Sequence, residues 1–177
     1  MSAGEIIPMV VSETEPVGGF VGDSIVVPVF QGGLLLTYLA FIVKAIADNL
    51  RKHPVVNAAI SGDNTIYRRD INVGIAISLP EERGGGLVVG VIRNADSKGL
   101  RQISAESKQL SEKARSRGLT IQEMSDSTFT ISNLGMFGIN SFSAIINPPQ
   151  AMILAIGMGE ERAVVRKGQV VVRNMMS

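Results

Sequence analysis

A succession of short Val- and Ile-rich segments, cut apart by glycine and proline, limits this chain more than any other feature. They run from Asn72 to Leu79, Leu87 to Arg93, Ser127 to Leu134, Ser143 to Asn147, Ala151 to Gly157, Ala163 to Arg166 and Gln169 to Arg173. Short β-branched runs bounded by turn residues read as strands, so the second half is mostly sheet. Gly84-Gly85-Gly86 separates the first two and predicts a hairpin with an irregular loop, and Lys167-Gly168 predicts a tight turn between the last two. Two stretches have helical period instead. Leu35, Leu39, Ile42, Val43, Ile46 and Leu50 form one stripe, ended near His53-Pro54; Leu100, Ile103, Leu110 and Ala114 form another, starting near Ser97 and closed by Gly118. Thr120 and Glu123 spell a capping box, which predicts a short third helix. The class is α/β in the broad sense, a mixed β-sheet with packed helices in one layer. Helices do not alternate regularly with strands, and neither G-x-G-x-x-G nor the Walker A sequence occurs, which argues against a doubly wound nucleotide fold.

Composition removes several kinds of chemistry. The 177 residues suffice for one domain with a sizeable core. Seventeen Lys and Arg against 16 Asp and Glu leave a formal charge of +1, with no electrostatic footprint for nucleic acid. Without cysteine there is no disulfide framework, no thiolate nucleophile and no Cys-containing zinc site, and the single histidine, His53, leaves no two-histidine metal site. We expect no metal. The apolar run from Leu34 to Val43 is stopped by Lys44, well short of the roughly 20 residues a bilayer requires, so no membrane span is expected. Met1 to Pro8 lacks the pattern of a secretory signal, and the chain reads as cytoplasmic.

Taken singly, most polar residues read as architecture. His53 before Pro54 reads as a helix-end residue facing terminal carbonyls. Asn147-Pro148-Pro149 reads as a rigid turn. Arg68, Arg69, Arg115, Arg117, Arg162 and Arg166 are interspersed with acids and read as solvated faces, although cations of this kind also suit phosphates. Met175 and Met176 read either as packing against a partner subunit or as a frayed end.

At Thr128-Phe129-Thr130-Ile131-Ser132-Asn133-Leu134-Gly135, followed by Ile145-Ile146-Asn147-Pro148-Pro149-Gln150-Ala151, the sequence resembles the catalytic domain of dihydrolipoamide acyltransferases, the core enzymes of 2-oxoacid dehydrogenase complexes. His53-Pro54-Val55-Val56-Asn57, Asp70 to Ala76, Gly86 to Val89 and Val91 to Asp96 extend the likeness from about Leu35 to Ser177. The resemblance implies a chloramphenicol acetyltransferase-like fold and acyl transfer between coenzyme A and a dihydrolipoyl thiol. In that mechanism the histidine of a His-Arg-x-x-Asp-Gly motif is general base and a serine hydroxyl donates to the tetrahedral oxyanion. The serine corresponds to Ser132. Ser78, Ser132, Asn133 and Gly157 correspond to positions that approach coenzyme A.

Departures from the family pattern shape the remaining expectations. The histidine motif would follow the strand matching Val170 to Met176, and it does not occur in the sequence, so we expect a truncated catalytic-like domain over residues 35–177. His53 does not align with the missing base. Residues 1–34 form a divergent segment, of which Ile6-Ile7-Pro8-Met9 alone faintly resembles the start of the catalytic core. Lipoyl and peripheral-subunit-binding domains are absent from the sequence. Gly90 stands where the family commonly has proline, after an apparent insertion around Glu81 to Gly85. The expected chain is a homotrimer, or a mixed trimer with complete homologues, lacking independent catalysis. The alternative is a non-catalytic trimeric scaffold or a module that binds coenzyme A or a partner.

Overall fold

The structure is a computed structural model and describes residues 33–177. The segment expected to diverge therefore lies almost wholly outside the described residues.

Helix α1, Gly33–Lys52, buries Leu39, Ala40, Val43, Ala47 and Leu50 on one face, as its periodicity requires. A small antiparallel hairpin follows, β1 (Ala58–Ser61) with β2 (Asn64–Tyr67). The central sheet has the order β4-β3-β5-β6, from β3 (Val73–Ser78), β4 (Leu87–Ile92), β5 (Phe129–Asn133) and β6 (Ile153–Ile156). β3 and β4 are antiparallel, whereas β3, β5 and β6 run parallel. Between β4 and β5 come α2 (Leu100–Ser116) and the short α3 (Ile121–Met124). A separate hairpin, β7 (Gly159–Arg166) with β8 (Gln169–Met176), completes the described chain.

Strand alternation sorts the sheet into two unlike faces. Val73, Ile75, Ile77, Ile92, Phe129, Ile131 and Ile156 point toward α1 and α2 and join their apolar stripes in one core. Ile92, Ile103, Ile131 and Val43 are fully enclosed there, each worth roughly 1.5–3 kcal/mol in burial. Gly90 belongs to this face: a Cβ there would lie 3.1 Å from Ile77 Cδ1 and 3.3 Å from Leu110 Cβ, so glycine lets α2 settle close to β4. The opposite face carries Gly74, Ala76 and Ser78 beside Thr130 and Ser132.

Several expectations need correction. The helix expected near Ser97 starts at Leu100, after a 3-10 turn over Ala95–Ser97, and Leu100 itself is exposed. Ser107 takes the stripe position between Ile103 and Leu110, its hydroxyl donating to Ile103 O at 2.7 Å so that burial costs little. The strand expected over Ser143 to Asn147 does not form: residues 141–147 belong to no ladder, and Ile145 is 90% exposed. The β1–β2 hairpin was not expected. The capping box is present, with Thr120 and Glu123 bonding each other's backbone N–H, and Lys167 and Gly168 both adopt positive φ in the β7–β8 turn.

Candidate functional site

The residues singled out by resemblance converge on one edge of the sheet. Ser78 ends β3, Ser132 and Asn133 end β5, and Gly157 follows β6, so the C-terminal ends of three parallel strands bring them together. In open α/β sheets this is the edge beyond which ligands bind. Ser132 pairs with Ala155, and continuing the β3–β5 register sets Ala76 on its other side. Two small side chains therefore flank the serine on its face of the sheet.

The hydroxyls at the start of β5 and along it differ in one decisive respect. Thr128 Oγ1 donates to Asn72 O at 3.3 Å and accepts from Asn72 N at 3.1 Å; Thr130 Oγ1 donates to Gln150 Oε1 at 2.7 Å. Among the described residues Ser132 Oγ makes no hydrogen bond, although the residue is only 8% exposed. The residue is buried, but its Oγ is not among the fully buried unpaired side-chain atoms and so keeps an opening to its surroundings. It is left able to donate to an oxygen that arrives from outside.

The chain reversal after Ser132 is tightly built. Asn133 Oδ1 accepts from Gly135 N at 3.0 Å, and Leu134 N donates to Ile156 O at 3.1 Å. A Cβ on Gly135 would stand 2.7 Å from Gly157 O, and one on Gly157 would stand 1.9 Å from Asn140 O. Glycine is needed at both positions because backbone meets backbone there. Ser78 is half-buried and pairs with Leu87 on β4.

His53 is not part of this group. Its backbone N–H donates to Asn49 O as α1 ends, and Asn57 of the same segment reaches Arg68 O and Asp70 O, at the entry of β3. That is the sheet's other end from Ser132. Arg68, Arg69, Arg115, Arg117, Arg162 and Arg166 are exposed, and Arg162 pairs with Glu160 at 2.7 Å. A cavity of about 210 Å³ lined by Leu79, Val88, Ala114, Gly118 and Leu119 lies on the helix side of the sheet, lacks any titratable group and does not include Ser132. Among the described residues no helix is long and apolar enough to cross a membrane.

One feature escaped the sequence reading: the Thr130–Gln150 bond, which fastens the turn after Pro149 to β5. Gln150 is buried, and its Nε2 also donates to Ser127 O at 3.3 Å. A glutamine after two prolines gives no signal of burial.

Comparison with known proteins follows the same residues. The family model described as 2-oxoacid dehydrogenases acyltransferase (catalytic domain) matches residues 30–177. The chain is 38% identical over 146 residues to the dihydrolipoyllysine-residue succinyltransferase component of the 2-oxoglutarate dehydrogenase complex of Haemophilus influenzae, covering 82% of this chain and 35% of that protein. It is 40% identical over 136 residues to the dihydrolipoyllysine-residue acetyltransferase component of the pyruvate dehydrogenase complex of Rhizobium meliloti, covering 77% and 30%. The chain thus spans about a third of the length of the curated relatives it matches. Among solved structures, a probable dihydrolipoamide acetyltransferase from Listeria monocytogenes superposes with a TM-score of 0.74 at 39% identity, over 80% of this chain and 58% of that one. The cubic core of the pyruvate dehydrogenase multienzyme complex gives 0.73 at 31% identity, over 97% and 65%.

Proposed function

The chain belongs to the family of 2-oxoacid dehydrogenase acyltransferase catalytic domains, and on that premise we propose that it supplies the oxyanion side of a site for acyl transfer between coenzyme A and a dihydrolipoyl thiol. The observation that carries this reading is Ser132: enclosed, flanked by alanines, and without a partner for its hydroxyl. In the transfer, the dihydrolipoyl thiol gives its proton to a base and its sulfur bonds the acyl carbon of acyl-coenzyme A. The carbonyl oxygen becomes an oxyanion, to which Ser132 Oγ–H donates. The carbon–sulfur bond to coenzyme A then breaks, and the departing thiolate takes up the proton. A donor aimed at developing negative charge is typically worth a factor of about 100 or more in rate. Ser78, Asn133 and Gly157 share the strand-end edge where coenzyme A would lie.

The base is not among these 177 residues, which hold no His-Arg-x-x-Asp-Gly sequence and one histidine, set at the wrong end of the sheet. It must come from residues outside them. A cytoplasmic trimer mixed with complete homologues that bring the histidine provides the means; a trimer of these 177 residues alone keeps the scaffold without the base. The exposed apolar residues Phe137, Ile145, Ile146, Val165, Val170 and Val172 support burial against other subunits. The same exposed apolar surface suits a second reading, a non-catalytic scaffold or a coenzyme A- or partner-binding module.

The test is acetyl transfer from acetyl-coenzyme A to dihydrolipoamide by the purified chain, beside Ser132→Ala and a protein-free blank. Transfer above blank that falls in Ser132→Ala supports an active site completed from elsewhere. Transfer at the blank level, with coenzyme A binding detected by calorimetry, supports the binding-module reading. Absence of both leaves the scaffold.

A further inference from the structure

Asn133 is bound to the reaction by resemblance only as a position that approaches coenzyme A, and its geometry points to a different task. Successive residues of a strand project to opposite faces, so Asn133 and Ser132 diverge although they are adjacent. Ser132 shares its face with Thr130; Asn133 shares its own with Ile131, which is fully buried in the helix-side core. The Asn133 carboxamide oxygen is already committed, accepting the Gly135 N–H two residues on at 3.0 Å. That is an Asx-turn, in which a side chain imitates a backbone turn and fixes the direction in which the chain leaves a strand.

What this turn holds is the exit of β5 immediately after Ser132. Leu134 N–H is carried to Ile156 O at 3.1 Å, and Gly135 is seated against the Gly157 carbonyl where no Cβ fits. The 3-10 turn Gly135–Phe137 begins there, and beyond it Asn140 O closes on Gly157. Ser132 is the last β5 residue on its face, and its hydroxyl has no hydrogen bond to fix it beyond the backbone ladder to β6. Its position therefore depends on how the strand end is clamped, and Asn133 is the only side chain among the described residues that bonds within residues 134–137.

We propose that Asn133 is a positioning residue: through Oδ1 and the Gly135 N–H it sets the strand exit that aims Ser132 Oγ, and it acts on the reaction through Ser132 instead of through coenzyme A. The proposal rests on the acyl-transfer reading above. An aspartate preserves the acceptor and removes the amide donors, whereas an alanine removes both, so the two substitutions separate positioning from ligand contact.

The experiment compares the unmodified chain with Asn133→Ala, Asn133→Asp, Ser132→Ala and the Ser132→Ala/Asn133→Ala pair, in acetyl transfer to dihydrolipoamide and in amide hydrogen exchange followed by NMR. Asn133→Ala is expected to lower kcat about tenfold, the scale of a displaced reacting group, with KM for acetyl-coenzyme A changed less than twofold. Asn133→Asp should recover kcat to within about threefold, and the double variant should be no slower than Ser132→Ala alone. A rise in KM in Asn133→Asp, or full additivity with Ser132→Ala, overturns the proposal in favour of direct contact with coenzyme A. Should the unmodified chain transfer no acetyl group even when mixed with a complete homologue, the acyl-transfer reading fails by itself, and exchange decides the positioning claim. Gly135 N–H is then expected to exchange at least about tenfold faster in Asn133→Ala and unchanged in Asn133→Asp, with the Ser132 amide resonance shifting only in the former. Equal exchange in all three proteins overturns it.

Discussion

The two ends of the central sheet treat polar groups in opposite ways. Where β3 and β5 begin and β4 ends, polar side chains fasten the strands, and among the described residues Asn57 Oδ1 is the one buried side-chain atom there without a partner. Asn72 Nδ2 donates to Asp126 O at 2.9 Å while its Oδ1 accepts from Asn94 N at 2.9 Å, and Thr128 N donates to Asn72 O at 2.8 Å. Arg93 adds bonds to Gln122 O, Ser125 O and Asp126 Oδ2. At the other end, where β3, β5 and β6 finish, contact is made by backbone against glycine, and the Ser132 hydroxyl is unengaged. Burial alone does not distinguish the ends, since Asn72 and Ser132 are 5% and 8% exposed. Partners do. One end spends its polar side chains on holding strands together; the other keeps one in reserve, and it is the end at which a ligand can approach.

The sharpest way to break this contrast is to remove the stitch. Asn94 and Asp126 both have positive φ, 48° and 63°, a conformation that costs energy in a residue with a side chain, and the Asn72 carboxamide bonds both at once. Asn72→Ala leaves the part-buried Asn94 N–H and Asp126 carbonyl without their partner and frees two strained residues. We expect a loss of about 2 kcal/mol, read as a lower urea midpoint at unchanged slope. A loss below about 1 kcal/mol would show that the two ends differ less than their hydrogen bonds suggest.

Thr130→Val sharpens the contrast within a single strand. It keeps the β-branched shape and deletes the bond to Gln150 Oε1, leaving that oxygen buried, and should cost about 1.5 kcal/mol. In Gln150→Leu the same threonine should cost appreciably less to replace, because the pair is then already broken; a double-mutant cycle measures the difference.

The stitched end also carries the chain's clearest acid dependence. Glu123 is held down to a pKa of about 2, first by the hydrogen bond from Lys113 and then by those from the Thr120 backbone and side chain. The unfolded chain takes up a proton on this group at higher pH than the folded one, so its contribution is full above the ordinary glutamate range and is lost as pH falls toward about 2. Stability measured between about pH 5 and pH 2 should therefore decline less steeply in Glu123→Gln than in the unmodified chain. Because Glu123 lies at the surface, the difference in slope should be modest.

Much of this was legible in the residues. The helix stripe from Leu39 to Leu50, the Gly84–Gly86 hairpin and the capping box follow from local rules, because periodicity, positive φ and cap chemistry are properties of a few neighbouring residues. The strand expected over Ser143 to Asn147 shows where such rules stop: Ala144, Ile145 and Ile146 suit a strand, but a ladder needs a neighbouring backbone, and none of the described residues supplies it. The β1–β2 hairpin was missed for the converse reason. Its residues show no clean alternation because Ile60 and Tyr67 stay exposed, although Gly62-Asp63 is a two-residue turn signal. The site was partly readable in the same sense. Resemblance named Ser132, Ser78, Asn133 and Gly157, and the parallel register explains why distant segments meet. That the Ser132 hydroxyl lacks a partner and Asn133 has one depends on atoms that no sequence pattern specifies.

The smallest expected effect on stability is the most informative about function. Ser132→Ala removes the hydroxyl of a buried residue two positions from Thr130, on the same strand and the same face. If enclosure alone governed the cost, the two substitutions would destabilise alike. Because Ser132 Oγ has no partner to orphan and is not itself a fully buried atom, its removal should change stability by no more than about 0.5 kcal/mol. Thermal unfolding of the Ser132→Ala and Thr130→Val proteins in one buffer reads the difference directly. A Ser132→Ala loss matching that of Thr130→Val would mean that the hydroxyl is structural, and the oxyanion reading would lose the observation on which it stands. A change near zero beside a clear loss at Thr130 would instead mark Ser132 as a group the fold does not need, which is what a side chain kept for a reacting oxygen should be.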